Sequence, residues 1–259
     1  MKIGIVYPQP ELQGDVSAIE TIAQLVEQRG FDHLLVYDHV VGADLSGREK
    51  DIKLPYTDKH AFTDPLTMFA YLSATTKRIK LMSGVLILPQ RQTALVARQA
   101  ADVDLLSNGR LILGVGLGSN HVECEAMGVD FHSRGRRCTE QVELMRRLWS
   151  GDLISFDGHF DKMDRVRLNP PPAREIPIWM GGYAPKAAER AGRLASGFIA
   201  GGGIEDSVQL KASVDAARKK YGRIDEAFGH SLLTMAATSE DQVLALSEQW
   251  QNAGGTHLS

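Results

Sequence analysis

The chain has 259 residues, 43% hydrophobic and 24% charged, with a net charge of -3. That length suits one large core, and α/β barrels of roughly 250 residues are common. The near-neutral balance gives no footprint for nucleic acid or an anionic membrane, and no run of about 18 apolar residues reads as a membrane span.

Met1-Lys2 leads straight into a strand without a signal peptide, so a cytoplasmic protein is expected. Ile3–Tyr7 and Leu34–Tyr37 read as strands around a helix from about Val16 to Arg29. Thr63-Asp64-Pro65 then starts a second helix reaching about Thr76, because a capping residue precedes a proline in the first turn. Ile79–Val85 is short and apolar, as a buried parallel strand should be. From Thr93 to Leu106 apolar residues broadly recur at helical spacing, and Ser107-Asn108-Gly109 supplies the stop. Leu111–Gly116 repeats the strand pattern and runs into Gly114-Val115-Gly116-Leu117-Gly118.

A long helix from about Arg134 to Trp149 follows, and Asp152 to Val166 alternates around Asp157-Gly158 as a hairpin. Pro170-Pro171-Pro172 is an extended linker. Ile176–Met180 and Gly197–Ala200 are strands ending in Gly181-Gly182 and Gly201-Gly202-Gly203, with a helix over Pro185–Leu194 between them. A helix from about Glu205 to Tyr221, a strand over Ser231–Ala236 and a helix from Ser239 to about Asn252 come next. Gly254–Leu258 begins an eighth strand. Eight strands with intervening helices, and no repeat, predict a single-domain (β/α)8 barrel over residues 1–259, with a doubly wound open sheet as the alternative. The chain stops where a final helix is expected, so either that helix is absent or this is a shortened form.

Barrel sites are built at the carboxyl ends of strands, which directs attention to three places. Asp38-His39 follows the second strand, where an imidazole can exchange a proton near neutral pH; a loop or capping pair is the plain alternative. Glycines at strand ends, Gly84 and the Gly114–Gly118 run, suggest close approach to a ligand. Ser83-Gly84-Val85 either supports a flat ring or simply packs a strand end. Gly181-Gly182 and Gly201-Gly202, each just before a helix, either offer free amides to a phosphate or make tight turns. His39, His60, His121 and His132 lack metal-ligand spacing, and Cys124 and Cys138 have no paired spacing, so no metal site and no disulfide are expected.

Taken in order, Tyr37-Asp38-His39-Val40-Val41, Phe62-Thr63-Asp64-Pro65-Leu66, Gly84 to Arg91 (GVLILPQR) and Leu106 to Leu111 (LSNGRL) resemble the luciferase-like monooxygenase superfamily. Gly114-Val115-Gly116, Glu125 to Val129 (EAMGV), Leu148-Trp149 and Ile176 to Gly182 (IPIWMGG) extend the resemblance over about Met1 to Leu258. The chain most resembles the branch that uses the deazaflavin coenzyme F420.

The resemblance implies a barrel binding F420, with FMN as the alternative, at the strands' carboxyl ends, usually in a homodimer. It implies a non-proline cis bond at Gly84-Val85 beneath the ring, with Asp38 and His39 at the ring and in proton transfer. Cofactor contacts are then expected from Asp38, His39, Ser83, Gly84, Val85, Gly116, Leu117, Gly118, Gly181, Gly182, Tyr183, Gly201 and Gly202. Ser119 stands where sugar-phosphate dehydrogenases of this superfamily carry a glutamate, and Ala43 where the family has a tryptophan, so that role is not expected. The expected reaction is hydride transfer to a small organic substrate or its oxygenation, with a flavin reductase partner if FMN is used. A non-catalytic flavin-binding protein is the alternative of another class, and a metal-dependent barrel hydrolase the third. The acidic oligoglutamate tail of F420 wants basic residues at the rim, for which Arg91, Arg134 and Arg136 are candidates.

Overall fold

Short apolar strands alternating with helices bury their faces in an α/β layer, and closing the sheet removes its unpaired edges. The computed structural model describes residues 1–48, 54–234, 237 and 239–259. Its elements run β1 (Lys2–Val6), α1 (Ala18–Gln28), β2 (His33–Val36), α2 (Pro65–Thr75), β3 (Lys80–Ser83), β4 (Leu86–Ile87), α3 (Thr93–Leu106), β5 (Leu111–Gly116), α4 (His121–Ala126) and α5 (Arg134–Trp149). They continue with β6 (Ile154–Asp157), β7 (Lys162–Val166), β8 (Ile178–Gly181), α6 (Pro185–Leu194), β9 (Gly197–Gly201), α7 (Ile204–Lys220), β10 (Gly229–Leu233), α8 (Glu240–Asn252) and β11 (His257–Leu258).

The order β1-β2-β3-β5-β8-β9-β10-β11 is parallel throughout, and β11 returns to β1, so the chain is a closed eight-stranded (β/α) barrel rather than an open sheet. The strand expected over Ile79–Val85 is interrupted. β3 pairs with the lower half of β5, and β4 resumes beyond a break to pair with its upper half. β10 begins two residues earlier than expected, at Gly229, and Met235 and Ala236 lie outside the described residues. β6 and β7 form the expected antiparallel hairpin outside the barrel.

Local chemistry explains the element ends. The Asp64 side chain accepts the Thr67 N–H at 2.9 Å and Pro65 takes the first helical position of α2. Asn108 and Gly109, both at positive φ, stop α3 as their sequence predicts. The next residue, Arg110, is buried and donates to the carbonyls of Ser73, Thr76, Ile79 and Ser107, which ties the last turn of α2 to the strand it precedes.

The main core lies between the barrel and its helices, and a second, inside the barrel, contains Leu35, Met82, Trp179 and Ile199. The barrel floor is sealed by Trp179, whose indole occupies the space over Gly197 and Gly229: a methyl there would lie 2.3 and 2.0 Å from the ring. His257 packs edge-on to Trp179 at 4.8 Å, and His33 Nε2 reaches Ser259 Oγ at 2.6 Å across the space left by Gly4. A closed floor confines ligand access to the carboxyl end.

Burial pushes His33, His230 and His257 down to about 4 each. In the unfolded chain they titrate near 6.5, so between those values the unfolded state binds the extra protons and stability falls as pH falls. We expect thermal midpoints to be flat above pH 7 and to drop by 5 °C or more, about 3 kcal/mol, between pH 6.5 and 4.5. A His33→Gln variant should show a shallower drop; a midpoint independent of pH over that range would contradict the burial argument.

Candidate active site

Two residues that adjoin in sequence at the end of β2 do different things. Asp38 turns inward and is 2% exposed. Its Oδ2 accepts the Ile87 N–H at 2.8 Å and its Oδ1 accepts from Arg91 Nη2 at 2.6 Å. Arg91 Nη2 also lies 2.8 Å from Asp64 Oδ2, on the carboxylate that caps α2. Burial raises Asp38 against the pull of Arg91, while for Arg91 the two carboxylates outweigh burial and push it up. Asp38, expected at the ring and in proton transfer, has both oxygens engaged by protein donors. It holds β2, β4 and α2 in register.

His39 faces the mouth. Its Nδ1 lies 3.3 Å from Glu123 Oε2, and the other oxygen of that carboxylate accepts the Val40 N–H at 2.7 Å. Glu123 is fully buried on α4; burial alone would raise it, but His39 and the Val40 amide hold it below its ordinary value. A carboxylate only accepts, so Nδ1 carries the hydrogen and Nε2 is the nitrogen left for a ligand. The imidazole is sandwiched by Tyr56 at 3.7 Å and edged by Phe62 at 4.6 Å, both from the loop between β2 and α2. The ring is thus fixed by one hydrogen bond and two aromatic contacts.

The Gly84-Val85 bond is cis, as the family resemblance implies. Ser83 beneath it is fully buried and donates its hydroxyl to the Gly114 carbonyl at 2.8 Å. Val85 stands half-buried between two glycines: a methyl on Gly116 would lie 2.3 Å from Val85 Cγ2, and one on Gly181 2.7 Å from Val85 Cγ1. A methyl on Gly84 would meet Leu35, and one on Gly114 the Ser83 carbonyl at 1.9 Å. These strand-end glycines, expected to admit a ligand, leave room for the protein's own Val85 and its bulge.

Leu117 and Gly118 follow at the rim, and the Gly118 carbonyl accepts from Arg134 Nε at 3.2 Å. Across the mouth, Tyr183 is 74% exposed and lays its phenol against Gly201. The two glycine loops differ electrostatically. α6, after Gly181-Gly182, starts with Pro185-Lys186, no side-chain cap and no acid in its first turn. α7, after Gly201-Gly202, starts with Glu205 and Asp206 in its first turn, which already occupy the electropositive end. The α6 loop is therefore the better anion receptor of the two.

Residues 1–256 match the model of the luciferase-like monooxygenase family. The chain belongs to that family. An uncharacterised Mycobacterium tuberculosis protein is 34% identical over 226 residues, 84% of this chain and 77% of that one. The F420-dependent hydroxymycolic acid dehydrogenase of the same species is 29% identical over 259 residues, 98% of this chain and 68% of that one. Among solved structures, an F420-dependent secondary alcohol dehydrogenase superposes with a TM-score of 0.82 at 19% identity, covering 99% of this chain and 92% of that one. At that identity the likeness speaks for the barrel fold alone.

In this luciferase-like chain, three residues of the site escape a reading of strand ends: Glu123, Tyr56 and Phe62. Glu123 had a signal. Asn120 and Glu123 have capping-box spacing, and Asn120 Oδ1 does cap α4 through the Val122 and Glu123 amides. The glutamate then turns to His39 rather than back to its own cap. Of the rim arginines expected for an acidic tail, Arg91 is held by two carboxylates, and Arg134 is held by the Phe131 and Gly118 carbonyls and stacks over the Phe131 ring at 3.6 Å. Among the described residues, no three His, Cys, Asp or Glu side chains converge on a metal position.

The close fit of Val85 between glycines is testable by size exchange. Gly116→Ala should cost about 1–3 kcal/mol in urea unfolding, as overpacking does, and Val85→Ala in the same chain should recover most of that loss. Additive losses in the double variant would separate Gly116 from Val85.

Proposed function

We propose that this chain is an oxidoreductase that uses reduced coenzyme F420 for hydride transfer to, or oxygenation of, a small organic substrate. The observation that carries this reading is the pairing of one partly exposed imidazole, fixed through Nδ1, with a half-buried apolar ledge at Val85 on the open end of a sealed barrel. The residues fit a flat ring with a phosphorylated chain. Val85 and the Gly84 backbone would support the ring, Gly181, Gly182 and the uncapped α6 amides would take the phosphate, and Tyr183, Gly201, Gly202, Leu117 and Gly118 would flank it. The F420-dependent relatives support the choice of cofactor.

When bound, the deazaflavin supplies the hydride chemistry; the protein orients it and excludes water. His39 Nε2 would take a proton from, or as imidazolium give one to, a substrate oxygen, while Glu123 at Nδ1 would hold the tautomer and stabilise the imidazolium. Asp38 would act as a positioning residue, taking the Ile87 amide on one carboxylate oxygen and Arg91 on the other, one residue before His39. Exposed Leu25, Tyr71, Leu95 and Leu106 on α1 to α3 support a homodimer through that face, and sedimentation as a monomer would overturn it.

Titration of purified protein with F420 and, separately, FMN, followed by cofactor fluorescence, tests the cofactor. Binding of F420 is expected; binding of FMN alone would favour a monooxygenase fed by a reductase, and binding of neither would overturn the reading. His39→Ala should slow turnover about 100-fold while leaving cofactor affinity within about threefold. Glu123→Gln, which keeps the shape but accepts less strongly, should lower kcat about tenfold with little change in KM. Unchanged turnover in His39→Ala would remove the proton-transfer role.

A further inference from the structure

We infer that the cleft between α5, α6 and the β6–β7 hairpin receives the acidic oligoglutamate tail of the cofactor, an inference that rests on the F420 reading above. The cleft is about 570 Å3 and is lined by three guanidinium groups, Arg136 from the first turn of α5 and Arg190 and Arg193 from α6. Among the described residues none of the three forms an ion pair with a carboxylate, and Arg190 spends one nitrogen on Thr139 Oγ1 at 3.2 Å. Two glutamates share the cleft. Glu140 is already committed, accepting the amides of His159, Phe160 and Asp161 at 2.8 Å each. That leaves Glu143 alone against three cations, a surplus suited to a chain of carboxylates.

Position supports the same occupant. Arg190 Nη2 lies 2.9 Å from where a Gly135 methyl would stand, and Leu117, at the rim after β5, lies 3.9 Å from the same point. The cleft thus meets the barrel mouth. Arg190 follows Pro185 by five positions, about 7.5 Å along the helix axis from the proposed phosphate loop. A tail leaving a phosphate at the start of α6 is led along α6 toward these arginines. The other rim cations are committed elsewhere: Arg91 to Asp38 and Asp64, Arg134 to two carbonyls and an aromatic ring. FMN has no carboxylate tail to place there, so the cleft would favour the deazaflavin.

The test uses three probes that share one ring: the deazaflavin nucleotide without glutamates, F420 with a short tail and F420 with a long tail, each followed by fluorescence at low and high salt. Exposed ion pairs are individually weak and screened, so the gain should grow with tail length and vanish with salt. Affinity should rise about tenfold from the tail-free nucleotide to the long-tailed F420 at low salt. Arg136→Glu combined with Arg193→Glu should remove that gain and leave tail-free binding unchanged, while Arg29→Glu, on the far side of the barrel, should change neither. Circular dichroism and the thermal midpoint check that the double variant is folded; if it is not, Arg193→Gln alone should remove part of the gain. Equal affinity for all three probes, or equal weakening of all three by the double variant, would overturn the tail site and leave the F420 reading standing. Failure of every probe to bind would overturn both.

Discussion

The carboxylate of Asp38 is the constraint on which the candidate site depends. One side chain takes the amide that restarts the strand after the Gly84-Val85 bulge and the guanidinium that also holds the cap of α2. Three segments separated by some fifty residues of chain are thereby referred to one point. Burying the Asp38 carboxylate with a guanidinium is no cheap source of stability, because desolvation offsets most of their attraction. What the triad supplies is register. It sets where β4 resumes, hence where Val85 stands, and it orients the turn from which His39 emerges.

Size complementarity then does for the apolar part what charge does for the polar part. Gly84 from the break between β3 and β4, Gly114 and Gly116 from β5 and Gly181 from β8 share one property: a methyl on any of them would meet Leu35, Ser83 or Val85. The bulge is therefore possible only where neighbours give up their side chains together. This gives the glycines a cause within the protein itself. Their recurrence at strand ends is equally compatible with a ligand surface, and the choice between the two readings rests on distances that no pattern contains.

That distinction explains how much was legible in the sequence. α3, α5 and α6 begin and end where helical periodicity, Ser-Asn-Gly and Pro signals place them, and the closed barrel follows from the alternation of elements. These are properties of residues close in sequence. α4 was missed because six residues carry too little periodicity to register. Its consequence is larger than its length, since Glu123 meets His39 across 84 positions of chain. Likewise the prominence of Asp38 at a strand end is visible in the sequence, whereas its ion pair with Arg91, 53 positions on, is not. The same holds for Arg91 itself: a rim cation by sequence becomes a spent one once Asp38 and Asp64 face it.

Electrostatic placement around the mouth follows one logic. At the two glycine loops, acids in the first turn of α7 and their absence from α6 make one helix start receptive to anions and the other not. Arg91 near the mouth is neutralised by two carboxylates and Arg134 is held by two carbonyls, while guanidinium groups without an ion pair lie outward, along α5 and α6. On the proposed reading, a cofactor with one charged end would have that charge drawn to the α6 side and its apolar face left over Val85. His39 stands after the end of β2, with Glu123 behind it. On that reading a substrate would meet the His39 imidazole near an Arg91 already held by two carboxylates, so shape more than charge would govern its binding.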